Sequence, residues 1–125
     1  MGNDKHISDI DPLVDLRDQL RRFAAERDWD QFHLPKNLAI ALSVEAAELL
    51  ENFQWLKEGD TKYLKDGKLE KVSEEMADVL LYLIRLADKL DVNLVDAAVR
   101  KIKLNAQKYP VEKARGSNRK YTDFQ

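Results

Sequence analysis

The sequence predicts an all-α fold, a four-helix-bundle-like subunit, and three observations carry that reading. Apolar residues recur at helical spacing along most of the 125 residues, and no stretch alternates as a strand does. Only four Gly and three Pro are present, so turns are few and helices long. A content of 44% hydrophobic and 35% charged residues suits one small helical domain with a charged surface.

The elements follow in order. Residues 1–10 read as a flexible leader, 11–110 as the helical domain and 111–125 as an extended C-terminal tail. Asp11-Pro12 places an N-cap before a first-turn proline and opens a helix over roughly 12–27, with Leu13, Leu16, Leu20, Phe23 and Ala24 on one face. Trp29–His33 reads as a loop. Pro35 opens a second helix, 35–57, which Gly59 stops. Asp60–Lys68 reads as a connector to a third helix, 69–90. Asn93, with Asp96 three residues on, resembles a capping box for a fourth helix, 94–109, closed at Tyr109-Pro110.

Composition removes several functions. With no cysteine there is no disulfide, thiolate zinc site or Cys nucleophile. No run has the length of a membrane span and no signal peptide is visible, so no membrane partner and a cytoplasmic location are expected. The net charge of −2 and the lack of a reading motif argue against nucleic acid as partner. No Gly-rich phosphate loop occurs, and Ser43 and Ser73 have no His–Asp partner.

Two acidic pairs remain, Glu45-x-x-Glu48 and Glu75-x-x-Asp78. A helix turns about 100° per residue. With Leu38 as origin, Leu42, Leu49, Phe53 and Leu56 form a stripe that contains Glu45, with Glu48 on its flank; Ser43, Glu51 and Gln54 point away. From Val72, the stripe Met76, Val79, Leu83, Leu86 and Leu90 is expected to face the core. Glu75 then lies at its edge beside Asp78 and Tyr82, and Glu74 points away. Carboxylates resist burial unless paired, so an inward quartet asks for a cation. All-oxygen donors select a hard one, Mg²⁺ or Mn²⁺, and neither His6 nor His33 sits in the Glu-x-x-His motif of di-iron bundles.

On the fourth helix the stripe Leu94, Ala97, Ala98 continues as Lys101, Asn105 and Lys108. This is the lining of a phosphate pocket, or long side chains snorkelling at the edge of the core. Trp29, Trp55, Phe32 and Tyr82 offer an aromatic wall for a nucleobase, or are core. Apolar residues surround most of the second helix, Ile40, Val44 and Leu50 included, so a helical interface between subunits is expected. The rival to an enzyme is a non-catalytic binding or scaffold module in which the carboxylates form buried ion pairs with Lys101, Lys108 or Arg85.

Glu45-Ala-Ala-Glu48 followed by Glu75-Met-Ala-Asp78 resembles the signature of the MazG-like all-α nucleoside triphosphate pyrophosphatases. Phe23-Ala-Ala-Glu-Arg-Asp-Trp29, Gln31-Phe-His-Leu-Pro-Lys-Asn-Leu38, Phe53-Gln-Trp55, Asp78-Val-Leu-Leu-Tyr82 and Lys120-Tyr-Thr122 resemble its dCTP pyrophosphatase branch, so that the likeness runs from about residue 13 to 124. The resemblance implies Mg²⁺-dependent hydrolysis of a dNTP, dCTP or a modified dCTP foremost, to dNMP and pyrophosphate, as nucleotide-pool house-cleaning. It implies a homo-oligomer, a dimer or a dimer of dimers. Glu45, Glu48, Glu75 and Asp78 match the metal ligands and catalytic carboxylates. Trp29, Trp55 and Tyr82 match positions at the base and sugar, and His33 falls within the matching block. Lys101, Asn105, Lys108 and Tyr109 match a segment that faces the phosphates. Leu20 departs from the pattern, since animal members carry a histidine there.

Overall fold

The computed structural model describes residues 11–56, 64 and 67–124. The expected leader 1–10, the Gly59 stop and most of the 60–68 connector lie outside the described residues. The chain is all-α, with no strand among the described residues. The long helices are α1 (Pro12–Glu26), α2 (Pro35–Glu51), α3 (Lys68–Lys89) and α4 (Leu94–Lys108), and a short α5 (Val111–Ala114) follows. Two compact units divide between Asp91 and Val92. In the first, α3 packs against both α1 and α2, more extensively against α2.

The helix starts obey local rules. The Leu13 amide donates to Asp11 Oδ1 at 2.9 Å, and Pro12 occupies the first turn of α1. Asn93 Oδ1 accepts from the Asp96 amide at 3.0 Å and caps α4. Both α1 and α3 are followed by an aspartate in the left-handed region, Asp28 and Asp91, each with φ 54°.

Three expectations need correction. The second helix ends at Glu51 rather than 57, and turns occupy 52–55. The buried Asn52 is the cause, because its Nδ2 donates to the Glu48 and Leu49 carbonyls at 3.2 and 3.3 Å and so satisfies the end of the helix. The tail is not uniformly extended, since α5 and a 3-10 turn at Tyr121–Phe124 lie within it. On α3 the expected stripe faces inward only in part. Val72 is buried and Val79 and Leu86 are half-buried, whereas Met76 is 57% exposed and Leu83 and Leu90 are also exposed; Ile84 and Ala87, off that stripe, are buried.

The corresponding stripe on α2 lies as expected. Leu38 is fully buried, and Leu42, Glu45, Leu49, Phe53 and Leu56 are half-buried, while Ser43, Glu51 and Gln54 face solvent. With Ala24 of α1, these side chains and the buried residues of α3 make a small core that fixes α2 against α3.

Candidate active site

The α2–α3 contact brings the acidic pairs together. Carboxylate oxygens of Glu45, Glu48 and Glu75 all lie within 4.8 Å of one another, and all three residues are half-buried. Glu45 and Glu48 are one turn apart on α2, and Glu75 faces them from α3. Glu45 Oε2 is buried without a hydrogen-bond partner. Burial, with the Glu48 carboxyl beside it and Asp78 and Glu75 nearby, pushes the Glu45 carboxyl up to about 7. Glu75 is also raised, by burial first and then by the charges of Glu48 and Asp78. An orphaned oxygen among crowded carboxylates is an arrangement that could hold a metal ion. Asp78 is exposed and stands outside the close trio, yet its charge reaches both Glu45 and Glu75.

Two cavities are lined by residues of the acidic pairs, one by Asp78 and the other by Glu48 and Glu75. One, of about 450 Å³, is largely apolar and lined by Leu16, Leu20, Phe23, Trp29, His33 and Tyr82, with Asp78 and Arg85 at its polar edge. Phe23 and Trp29 meet edge to face with centroids 5.7 Å apart, and the His33 ring lies 6.4 Å from Trp29. The other, of about 760 Å³, is polar and lined by Glu48, Glu51, Trp55, Lys68, Lys71 and Glu75. Of the aromatic candidates, Trp29, His33 and Tyr82 therefore share one cavity. Trp55, 87% exposed, lines the other, and Phe32 is exposed.

Lys101, Asn105 and Lys108 lie on α4, with Tyr109 its C-cap, all within the second unit. Arg85 does not neutralise the acidic quartet. It bonds Asp30 at 2.6 Å, His33 Nδ1 at 3.1 Å and Asp88 at 3.4 Å. Sequence reasoning left Asp30, Lys68 and Lys71 without a role, placed Phe23 only on the apolar face of the first helix, and considered Arg85 only as a partner for the quartet. One signal was available for Arg85: the spacing Glu75, Asp78, Tyr82 continues at Arg85 and Lys89 on the same helical phase.

Fold and site together define a class, an all-α protein with a carboxylate cluster and an aromatic-walled cavity that Asp78 lines, and comparison with known proteins narrows it. The MazG-like family model matches residues 40–124. The chain is 44% identical over 114 residues to dCTP pyrophosphatase 1 of Rattus norvegicus and equally to that of Homo sapiens, spanning 90% of this chain and 67% of each relative. A crystal structure of a pyrophosphatase from Archaeoglobus fulgidus superposes with a TM-score of 0.74 at 43% identity, covering 81% of this chain and 94% of the other. The chain belongs to the MazG-like family.

No described helix is long and apolar enough to cross a membrane.

Proposed function

We propose that this protein is a Mg²⁺-dependent nucleoside triphosphate pyrophosphatase, acting on dCTP or a modified dCTP and releasing dNMP and pyrophosphate. The observation that carries the reading is the buried, partnerless Glu45 Oε2 within the Glu45–Glu48–Glu75 cluster, whose Glu48 and Glu75 line a cavity with Lys68 and Lys71, while Asp78 lines the aromatic one. Membership of a family whose relatives include pyrophosphatases supports it.

Glu45, Glu48, Glu75 and Asp78 would hold the cation, with Mn²⁺ as the substitute of similar chemistry. When bound, the ion supplies Lewis-acid polarisation of the phosphoryl oxygens. Trp29, Tyr82 and His33 take the base. Lys68 and Lys71, which line the polar cavity, offset charge on the phosphates. Lys101, Asn105, Lys108 and Tyr109 match, by family resemblance alone, positions that face phosphates. Water attacks the α-phosphorus, the bond to the β-phosphate's bridging oxygen breaks, and the water proton passes to a carboxylate of the cluster. Trp55, which lines the polar cavity, completes the base and sugar contacts.

The functional unit is a homo-oligomer, a dimer or a dimer of dimers in the cytoplasm. Its support is the apolar surface that one chain leaves open on α2 and α3. The test is a dNTP panel with Mg²⁺, with pyrophosphate and monophosphate measured as products. Release of pyrophosphate with dCTP among the best substrates is expected, and no release from any dNTP overturns the reading.

A further inference from the structure

Arg85 is the one buried charged side chain among the described residues, 5% exposed, and the chemistry above does not use it. A buried cation is costly unless every donor is satisfied. Here the guanidinium is clamped from both sides. Its NH2 meets Asp30, which Lys89 also holds at 2.6 Å, and its NH1 meets Asp88, which Arg21 grips at 2.6 and 2.8 Å. That leaves Nε, which donates to His33 Nδ1 at 3.1 Å.

A guanidinium only donates and does not deprotonate in proteins. The ring nitrogen facing it is therefore a lone pair, and the single proton of a neutral His33 sits on Nε2. Burial, reinforced by the Arg85 and Lys89 charges and only partly opposed by Asp30, lowers the His33 pKa and favours the same neutral ring. The ring lines the aromatic cavity, and no described residue accepts a hydrogen bond from Nε2.

We propose that Arg85 is a positioning residue that locks His33 as a neutral Nε2–H donor, and that this donor selects a nucleobase presenting a hydrogen-bond acceptor on the edge it meets. This rests on the nucleotide reading of the cavity. A fixed donor in an apolar wall discriminates because a base bringing its own N–H leaves two donors opposed. Cytosine presents an unprotonated N3 where thymine carries N3–H, so the pair dCTP and dTTP is the natural probe.

Two measurements test the proposal. In protein labelled with ¹⁵N-histidine, two-bond proton–nitrogen correlation reads the tautomer of His33, with His33→Gln removing its signals to separate them from those of His6. The expected spectrum has Nδ1 bare and Nε2 protonated across the neutral range, giving way to mixed tautomers in Arg85→Met. In kinetics, Arg85→Met lowers the dCTP over dTTP ratio of kcat/KM by roughly tenfold, carried by KM, and adds no further loss in a His33→Gln background. A wild-type His33 protonated on Nδ1 overturns the proposal even if Arg85→Met does not fold. So does a variant that keeps the wild-type ratio, or one that loses kcat equally for both nucleotides with KM unmoved. A wild-type protein that cleaves no dNTP defeats the nucleotide reading, and base selection by His33 with it, while the tautomer spectrum still decides the Arg85–His33 lock by itself.

Discussion

Glu45 on α2 and Glu75 on α3 bring carboxylate oxygens within 4.8 Å of each other, and no hydrogen bond relieves Glu45 Oε2. In the metal-free protein this arrangement opposes the packing that creates it. The cluster therefore costs stability that the proposed cation should restore, and the two effects separate in one variant. Glu45→Gln keeps the shape and removes a charge, so the metal-free protein should melt higher than wild type. The same change removes a ligand, so kcat should fall by about 10²–10³, and Mg²⁺ with dCTP should raise the melting temperature less than it does in wild type. Differential scanning fluorimetry with and without Mg²⁺ and nucleotide, beside a pyrophosphate assay, measures both. A variant with a lower metal-free melting temperature and full activity contradicts the account.

The aromatic cavity gives a second prediction. Trp29 lines it, braced edge to face by Phe23, over whose ring the Arg27 guanidinium sits at 3.6 Å. Stacking of a base on an aromatic ring is worth about 1–3 kcal/mol, so Trp29→Ala should raise KM by roughly 5- to 150-fold. The effect on kcat should be smaller, because the ring does not touch the reacting phosphorus. Steady-state kinetics with dCTP decides, and nucleotide quenching of the Trp29 fluorescence, tested in a Trp55→Phe background, should report binding directly.

Acid stability should draw in part on a different carboxylate. The hydrogen bond from Arg21 holds the Asp88 carboxyl below its usual range, despite the opposing effect of burial, and the Arg21, Arg85 and Arg17 charges lower it further. The unfolded chain therefore binds a proton at higher pH than the native one. By linkage the stabilisation is complete above the ordinary aspartate value, about 4, and is lost as pH falls through the lower native value. Urea unfolding at a series of acidic pH values should show that decline. Arg21→Met should flatten it while lowering stability at neutral pH. An unchanged slope would assign the acid limb to other groups.

The sequence carried the local parts of this structure and missed those that depend on distant partners. The caps at Asp11 and Asn93 were legible because each involves residues two or three positions apart. The inward phase of Glu45 was legible because Leu38, Leu42 and Leu49 surround it at helical spacing. The end of α2 was not, since it depends on Asn52 folding back as a buried amide. Arg85 was assigned to the wrong carboxylates because its bond to Asp30 spans 55 positions. On α3 the apolar residues were assigned to the core of one chain, whereas the stripe through Glu75, Asp78, Tyr82 and Arg85 carries the groups of the site and its cavity.

Asp91 yields a stability prediction independent of function. It holds φ 54° directly after the C-cap of α3, a conformation that disfavours residues with a Cβ. Asp91→Gly removes that strain at the cost of a more flexible unfolded chain, so a net gain of about 0.5–1 kcal/mol is expected. Asp91→Val should lose stability, because a β-branched side chain tolerates the left-handed region least. Chemical denaturation of the two variants reads the sign directly.

The last prediction concerns the outward stripe of α3. Leu69, Met76, Leu80, Leu83 and Leu90 are all exposed, at intervals of seven, four, three and seven residues. That spacing is the seam of a helix that packs against another helix. Ile40 and Val44 add exposed apolar area on α2, where they too stand one turn apart. A stripe of this regularity has no use in water, and the proposed oligomer covers it. Met76→Arg with Leu80→Arg places two cations in the seam, where pairing would bury them unpartnered. Sedimentation velocity should show the wild-type chain as a dimer or tetramer at micromolar concentration and the double variant as a smaller species. Because Met76 and Leu80 lie outside the buried residues of the single chain, the variant should retain its helical circular dichroism. A double variant with unchanged sedimentation would place the subunit interface elsewhere, and the Ile40–Val44 face of α2 would then be the surface to charge next.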